Sequence, residues 1–292
     1  MHKSGFVNIV GCPNVGKSTL LNALVGERLS IITSKAQTTR HRIMGIVSGE
    51  NYQIVFSDTP GILKPAYKLQ EKMMQFVVSA FSDADVFLLI TDIFEDIQLD
   101  EDYLKKLQKS SSPILLLINK IDQVKDKELD EKVEKWKNLL PNAEIFPISA
   151  LLKFNLENLM KRIVDLLPAG EAFYDKDELT DKPERFFVSE IIREKILLNY
   201  KKEIPYSVEV IVEAFKEESN ILKINAVILV ERDSQKGIII GHKGEAIKRV
   251  GTKARLECEK FFNKKVHLEL FVKVEKDWRN DDRHLKNFGY TE

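Results

Sequence analysis

The stretch that decides the fold reads Phe6-Val7-Asn8-Ile9-Val10-Gly11-Cys12-Pro13-Asn14-Val15-Gly16-Lys17-Ser18. An apolar run of strand character leads into the pattern G-x-x-x-x-G-K-[ST], a loop that wraps the phosphates of a nucleoside triphosphate. Its glycines let successive backbone N–H groups turn inward around an anion, and the helix that begins at Lys17 aims its positive N-terminus at the same point. In this pattern Lys17 supplies a cation for the β- and γ-phosphates, and the Ser18 hydroxyl ligates Mg²⁺. The stretch therefore predicts a strand, a phosphate loop and a helix.

A second apolar run, Ile114 to Ile118, indicates which base the nucleotide carries, because it ends in Asn119-Lys120-Ile121-Asp122. The Asp122 carboxylate can accept two hydrogen bonds from guanine, whereas adenine would leave it unpaired at a high cost. We expect Asn119 to tie this loop to the phosphate loop, and the stem of Lys120 to lie along the purine. A third run ends in Ser149-Ala150, whose backbone N–H groups are placed to read the guanine O6 atom.

Between these segments, Asp58-Thr59-Pro60-Gly61 follows the predicted strand Gln53–Ser57. We expect Asp58 to hold Mg²⁺ through its water shell and Gly61 to offer its N–H to the γ-phosphate. Each short motif taken alone is more often a turn. All of them follow strands, however, and ligands of open α/β sheets bind at the carboxyl ends of strands. The sequence thus predicts one GTP/GDP site, built from Gly11, Asn14, Val15, Gly16, Lys17, Ser18, Thr19, Asp58, Gly61, Asn119, Lys120, Asp122, Ser149 and Ala150.

Composition bounds the protein class. The chain has 292 residues, enough for two domains, and its 45 basic and 45 acidic residues give no net charge. The absence of net charge argues against a protein that coats nucleic acid through its overall charge. A neutral chain can still carry a local basic patch. The two cysteines, Cys12 and Cys258, suggest no disulfide framework and fit a reducing compartment. No signal pattern or bilayer-length apolar run is present, so a cytoplasmic location is expected.

The order of elements predicts two domains. Residues 1–168 alternate strand and helix, and the strands are continuous apolar runs, which favours a mostly parallel sheet covered by helices on both faces. Residues 169–183 are polar and acidic and end at a proline, which indicates a linker. Residues 184–292 then predict helix, strand, strand, helix, helix, strand, the order of a smaller α+β domain of the type II KH fold.

A second chemical signal lies within this smaller domain. Gly241-His242-Lys243-Gly244 is a GXXG loop, the element with which a KH domain clamps about four nucleotides of single-stranded nucleic acid. The helix that follows, which includes Lys248 and Arg249, carries a local excess of basic residues in a neutral chain. GXXG alone is a weak signal, and the order of the surrounding elements strengthens it. We expect the RNA-binding residues to be Gly241, His242, Lys243, Gly244, Lys248 and Arg249.

A P-loop GTPase domain followed by a type II KH domain resembles the Era family of bacterial ribosome-assembly GTPases. The resemblance is carried by the motifs above together with Gln37-Thr38-Thr39-Arg40-His41-Arg42, and it covers nearly the whole chain. It implies binding of the 3′ end of small-subunit ribosomal RNA, action in assembly of the small ribosomal subunit, and peripheral contact with the inner face of the cell membrane. It also implies that Thr39 closes on Mg²⁺ and the γ-phosphate, with Thr38 as the alternative. Nothing in the sequence demands an oligomer, so a monomer is expected.

Turnover is expected to be slow, because Ile62 stands where Ras-like enzymes place a glutamine that orients water. In GTPases resembling this one, an asparagine at the position of Asn14 can help to hold K⁺; the alternative is that Asn14 only stabilises the loop. The expected metal ligands are Ser18, Thr39 and Asp58, and the expected catalytic residues are Lys17, Thr39, Gly61 and Asn14.

The predicted function is a GTP-dependent switch that controls RNA binding. Two alternatives stay open at this point. One is an RNA-binding scaffold that never turns its nucleotide over, and the other is a GTPase whose C-terminal domain binds protein. The tail from Trp278 to Glu292 is compatible with capping the KH domain or with contacting RNA.

Overall fold

A computed structural model describes residues 1–94 and 100–290. The chain divides into two compact units. The last segment of the first unit ends at Asp181, and Lys182 belongs to the second unit. Residues 291 and 292, with which the predicted KH domain and its tail end, lie outside the described residues. In the part of the chain that is described, no helix combines the length and apolar character needed to cross a bilayer.

The first unit is built on a six-stranded sheet in the order β2-β3-β1-β4-β5-β6. Only β2 runs antiparallel to its neighbour. The strands are β1 (Lys3–Val10), β2 (Ile43–Ser48), β3 (Tyr52–Asp58), β4 (Val86–Asp92), β5 (Ile114–Asn119) and β6 (Ala143–Pro147). The helices are α1 (Lys17–Val25), α2 (Lys68–Ser82), α3 (Glu101–Gln108), α4 (Asp126–Leu139) and α5 (Leu156–Leu166).

The burial of the central strands explains this architecture. Every residue of β4 and of β5 is buried, as expected where helices cover both faces of a parallel sheet. The predicted α/β class with a mostly parallel sheet is therefore confirmed. The edge strand β2 was not predicted, because it follows directly on the Gln37–Arg42 segment and its apolar residues do not form a continuous run.

The segment predicted as a linker, residues 169–183, differs from that expectation. Residues 169–181 belong to the first unit and lie along it as a strap. The buried Gln53 side chain accepts hydrogen bonds from the backbone N–H groups of Phe173 and Tyr174 at 2.7 and 3.0 Å. At β2, the N–H of Ile46 donates to the carbonyl of Leu179 at 2.9 Å. The polar composition suggested a free linker, but backbone hydrogen bonds hold this segment, and composition does not report them.

The second unit has the sheet order β7-β8-β9, in which β7 and β8 are antiparallel and β8 and β9 parallel. Its elements are α6 (Glu184–Asn199), β7 (Glu209–Glu217), β8 (Ile221–Val230), α7 (Asp233–Ile240), α8 (Glu245–Phe262), β9 (Lys265–Val274) and α9 (Asp282–Asn287). This is the predicted order of a type II KH domain, which is confirmed. The core lies between the helices and one face of the sheet and includes Ile192, Ile224 and Cys258.

The C-terminal tail packs on the second unit as far as it is described. Trp278 and Tyr290 are buried; the Trp278 indole N–H donates to the carbonyl of Ser207 at 3.2 Å, and the Tyr290 hydroxyl donates to Glu209 at 2.7 Å. Of the two possibilities left open by the sequence, the structure therefore favours capping of the KH domain for residues up to 290.

Candidate functional site

The predicted nucleotide-binding segments meet at the carboxyl ends of the strands of the first unit. A cavity of about 360 Å³ opens there between the phosphate loop, the segment that precedes β2, and Gly61. Residues that line it include Asn14, Gly16, Lys17, Ser18, Thr19, Thr39, Gly61 and Lys120. The volume and the lining suit the phosphate groups of a nucleotide rather than the base.

The three predicted metal ligands converge at one side of this cavity. The Ser18 hydroxyl donates to Oδ2 of Asp58 at 2.7 Å and lies 2.9 Å from the Thr39 hydroxyl, which itself donates to Oδ2 of Asp58 at 3.2 Å. These residues come from the start of α1, the segment before β2 and the end of β3, which are far apart in the sequence. Two hydroxyls and a carboxylate form an all-oxygen donor set, the type that Mg²⁺ prefers.

Asp58 is fully buried, and this burial raises the pKa of its carboxyl above the ordinary value. Lys17 and the hydroxyls of Ser18, Ser30 and Thr39 act in the opposite direction and favour the ionised form. One carboxylate oxygen, Oδ1, makes no hydrogen bond with any residue that the structure describes. A buried carboxylate with an unpaired oxygen is costly without a cation and its bound water nearby. The site therefore fits a divalent cation.

The structure separates the two threonines that the sequence left as alternatives. Thr39 is buried next to Ser18 and Asp58. Thr38 instead donates to the carbonyl of Lys35 at 2.6 Å, and its hydroxyl lies 2.6 Å from that of Thr33. Thr39 is thus the threonine that the fold brings to the metal side of the cavity.

The phosphate loop has the predicted construction around α1. The Lys17 ammonium donates to the carbonyls of Gly11 and Cys12 at 3.1 and 2.6 Å, so the side chain folds back over the loop. Gly16 has φ = 106°, and a Cβ atom there would lie 2.3 Å from Nδ2 of Asn119, which excludes any larger residue. Gly61 approaches this loop so closely that a Cβ atom would lie 2.8 Å from the backbone of Pro13.

Asn119 links the three loops of the site. Its Nδ2 atom donates to the carbonyl of Val15 at 2.8 Å, and its Oδ1 atom accepts from the N–H of Ala150 at 2.9 Å. One side chain therefore connects the phosphate loop to the predicted base-reading loops. Asp122 is solvent-exposed, so its carboxylate is open to a ligand from solution, as the predicted role requires. Ser149 and Ala150 are buried, which is compatible with the predicted use of their backbone N–H groups.

Lys120 has a partner, Asp92, that none of the sequence motifs indicates. The Lys120 ammonium donates to the carbonyl of Asn14 at 2.9 Å and forms an ion pair with Asp92, a buried residue at the end of β4. The two contacts tie the lysine side chain to the phosphate loop and to the end of β4. The position of Asp92 at the carboxyl end of a strand was the signal that could have revealed it, since the other site residues follow strands in the same way.

A second missed group anchors the Gln37–Arg42 segment. The Arg42 guanidinium donates to both carboxylate oxygens of Asp83 at 2.7 and 2.9 Å, to the hydroxyl of Ser57 at 2.7 Å and to Oδ1 of Asn8 at 3.2 Å. These contacts fasten the end of the segment that carries Thr39 to β1, to β3 and to the residue after α2. No local sequence pattern could reveal them, because Arg42 and Asp83 are 41 positions apart.

In the second unit, the GXXG residues form a tight turn between α7 and α8. Gly241, Lys243 and Gly244 have φ values of 74°, 48° and 79°, and the side chains of His242 and Lys243 are exposed. Such a turn presents its backbone and two side chains to a ligand. Lys248 and Arg249, on the first turns of α8, are exposed as well.

A groove of about 260 Å³ runs beside α8, towards β9. Its apolar surface comes from Ile247, Leu268 and Leu270, and its basic side chains are Lys248 and Arg255. An apolar surface for bases with cations for phosphates is the arrangement that binds single-stranded nucleic acid. The two leucines of β9 and Arg255 were not among the predicted binding residues.

Comparisons with known proteins agree with both units. A family model described as "50S ribosome-binding GTPase" matches residues 6–120, and a KH domain model matches residues 203–279. GTPase Era of Syntrophus aciditrophicus is 46% identical over 295 residues, which cover 100% of this chain and 96% of that protein.

Two solved structures match the chain at 39% identity and a TM-score of 0.95. One is Era in complex with MgGDPNP and nucleotides 1506–1542 of 16S ribosomal RNA, with full coverage of both chains. The other is a variant of Aquifex aeolicus Era bound to GDP and AlF₄⁻. That match covers 99% of this chain and 100% of the other. With a phosphate loop, a guanine-type loop and a KH unit in one chain, and with this identity over its full length, the protein belongs to the Era family of GTPases.

Proposed function

We propose that this protein hydrolyses GTP as a switch and that the nucleotide state controls how its KH unit binds the 3′ end of 16S ribosomal RNA during small-subunit assembly. The observation that carries the proposal is the presence, in one chain, of a converged Ser18, Thr39 and Asp58 cluster and an exposed GXXG turn beside a basic groove. The first is a nucleotide switch site, and the second is a module for single-stranded RNA.

Magnesium fits the first site. Ser18 and Thr39 would hold it directly and Asp58 through water, since two hydroxyls lie against a buried carboxylate that has one oxygen unpaired. When bound, the ion neutralises charge on the β- and γ-phosphates as the γ-phosphate is transferred to water. Magnesium also accompanies the nucleotide in the Era complex described above.

The remaining chemistry belongs to the chain itself. Lys17 exchanges its contacts with the Gly11 and Cys12 carbonyls for phosphate oxygens, and the N–H of Gly61 is offered to the γ-phosphate. Ile62 is buried, and its hydrocarbon side chain has no donor or acceptor with which to orient water. Slow intrinsic hydrolysis follows from the lack of a water-orienting side chain at this position. Asn14 is exposed at the cavity and is the candidate ligand for a K⁺ ion that would add positive charge.

RNA binding is assigned to the GXXG turn and the groove along α8. The positive φ values of the turn allow a sugar–phosphate backbone to approach closely, while His242, Lys243, Lys248 and Arg249 supply donors and charge. The RNA in the Era complex described above is a segment of 16S RNA, which supports the small subunit as the partner. The family model whose description names the 50S particle covers only residues of the first unit.

Location and assembly state form part of the same proposal. The family resemblance supports a cytoplasmic monomer that makes peripheral contact with the inner face of the cell membrane.

A switch requires that RNA bind the two nucleotide states with different affinity. By linkage, RNA must then change the relative affinity for GTP and GDP by the same factor. The ordering of the Thr39 segment and of Gly61 by GTP and Mg²⁺, and their release after hydrolysis, would supply the two states.

The test measures the affinity of the full chain for a short RNA matching the 16S 3′ end, once with a non-hydrolysable GTP analogue and once with GDP. We expect tighter binding with the analogue. Changing His242 and Lys243 to Asp should weaken binding about tenfold or more, because it removes an ammonium cation and an imidazole donor from the turn and places two anions there. The matched control changes Lys216 and Lys223 to Asp; both are exposed, and they alternate along β7 and β8 with residues that pack into the core.

Each outcome has a distinct meaning. Equal binding in both nucleotide states would keep the RNA module but refute the switch. Equal losses in the GXXG variant and in the control variant would refute the assignment of the GXXG turn. No binding to RNA would favour a protein partner for the KH unit, and an absence of multiple-turnover phosphate release would favour a scaffold.

A further inference from the structure

Gly251 occupies a position in α8 for which helix formation gives no reason. It lies inside a helix of 18 residues, and its φ is not in the left-handed region that favours glycine. Glycine in a helix interior lowers stability relative to alanine, because it loses more backbone freedom on folding. The reason for a glycine here must therefore lie in what surrounds the helix.

The groove beside α8 supplies that reason. Ile247, Gly251 and Arg255 are spaced four residues apart, so they share one face of the helix, and all three line the groove. Gly251 is the central member of this row, so the helix side of the groove has no side chain at its middle. The opposite wall consists of Leu268 and Leu270, which lie on one face of β9.

A side chain at this position would close the groove at its middle. A Cβ atom added to Gly251 would lie 3.3 Å from Cδ1 and 3.9 Å from Cγ of Leu270. It would thus bring the helix wall and the strand wall into contact. Leu270 is only partly buried, so its side chain has room to give way, and the fold itself should tolerate alanine at this position. Glycine therefore keeps the groove deep without being needed to build the helix.

We propose that Gly251 is a specificity-determining residue of the RNA site, which gives the groove the depth to take one unstacked base of a single-stranded RNA. The ring of that base then packs on Leu268 and Leu270. The inference rests on the proposed function, since it needs RNA at the second unit. Apolar surface that accepts a base, next to cations that accept the backbone, is a general arrangement for single-stranded nucleic acid.

Two neighbouring features indicate a base rather than the side chain of a protein partner. Lys248 and Arg255 line the same groove and place cations beside it, although Arg255 also pairs with Glu259 at 2.7 Å. The GXXG turn ends at Gly244, directly before α8, so Gly251 lies about 10 Å further along the helix. A KH turn clamps about four nucleotides, so a strand held at the turn extends along this groove.

The experiment measures binding of the full chain, with a non-hydrolysable GTP analogue, to a short RNA matching the 16S 3′ end. A series of the same RNA has each base in turn removed to leave an abasic sugar. For the wild type, one position should cost about tenfold, since the packing of one base is generally worth at least that much. Gly251→Ala should bind the intact RNA about tenfold more weakly, and removal of that same base should then cost little more.

Stability separates this role from a structural one. The Tm of the second unit can be followed through Trp278 in a Trp136→Phe background, because each unit contains one of these buried tryptophans. For Gly251→Ala we expect a Tm equal to or above the wild-type value, since alanine favours the helix. The matched control is Gly237→Ala in α7, where an added Cβ would meet no described atom within 4 Å. The control should leave the affinity for every RNA of the series unchanged.

An affinity for intact RNA that Gly251→Ala leaves unchanged, or losses that add for every base removed, would overturn the inference. The RNA module would still stand if changing His242 and Lys243 to Asp weakened binding in the same assay. A lower Tm together with an equal loss for all RNAs would assign Gly251 to the packing of α8 on β9 and would also overturn the inference. Absence of RNA binding by the unchanged chain would refute the proposed function and this inference together.

Discussion

The ion pair between Arg42 and Asp83 gives a quantitative prediction about the anchor of the Thr39 segment. The Arg42 side chain is 8% exposed and that of Asp83 is 39% exposed. Asp83→Ala deletes two hydrogen bonds from the guanidinium and a third from Nδ2 of Asn8, at 2.7 Å. It leaves the guanidinium buried with only the neutral acceptors of Ser57, Ser79 and Asn8.

The loss of stability can be bounded from these contacts. Breaking a fully buried ion pair by removing one partner costs about 3 to 5 kcal/mol. Because Asp83 is more than one third exposed, solvent screening reduces this, and we expect about 2 kcal/mol. For a unit of this size, that corresponds to a fall in Tm of about 4 to 8 °C.

The assay is urea unfolding followed by tryptophan fluorescence. The chain has two tryptophans, Trp136 buried in the first unit and Trp278 buried in the second. A Trp278→Phe background therefore leaves Trp136 as the reporter of the first unit. The matched control is Glu144→Ala, which removes the partner of Arg162 at a similar distance, 2.8 Å, but with both side chains more than 40% exposed. We expect a loss of about 0.5 kcal/mol there.

Similar losses in the two variants would refute the argument from burial. So would additive effects of Arg42→Met and Asp83→Ala. Once the guanidinium is gone, removal of the carboxylate should cost markedly less, and the double-mutant cycle measures this difference.

Three further predictions concern the site and the cysteines. Asp122→Asn should weaken GTP binding about 100-fold and favour xanthosine triphosphate, because a charged acceptor of two hydrogen bonds is lost; unchanged GTP affinity would contradict the assignment. Hydrolysis should be faster in K⁺ than in Na⁺ and lose this difference in Asn14→Ala, whereas equal rates in both salts would leave Asn14 a loop residue only. Burial raises the pKa of the Cys258 thiol to about 12, so this cysteine should resist alkylation in the folded protein at pH 8, when its thiolate is scarce. The partly exposed Cys12 should react and be protected by GDP, and mass spectrometry of labelled peptides distinguishes the two.

Much of the fold was predictable because its signals are local. Continuous apolar runs such as Ile114–Ile118 specify strands buried on both faces, and each site motif directly follows such a run. Parallel strands end at the same edge of a sheet, so the motifs that follow them were expected to meet there. For the same reason the order of the KH elements could be followed from periodicity and turns.

What could not be predicted depends on partners distant in the sequence. Arg42 is anchored by Asp83, and Lys120 forms an ion pair with Asp92. Single-sequence patterns report spacing along one element and carry no information on which loops meet. The strap was predicted to be a linker for the same reason. Its backbone hydrogen bonds join it to distant strands and do not depend on the polarity of its side chains.

The strap also determines where the first unit can be excised. The N–H groups of Met44 and Ile46 on β2 are satisfied by Asp181 and Leu179, at 3.1 and 2.9 Å. A fragment that ends at Leu167 would lack both of these acceptors and would leave the edge of β2 unpaired. An unpaired edge strand favours strand pairing between molecules, and hence aggregation. A fragment that extends to Asp181 keeps both hydrogen bonds to β2 and is therefore the one to express when the GTPase unit is studied alone.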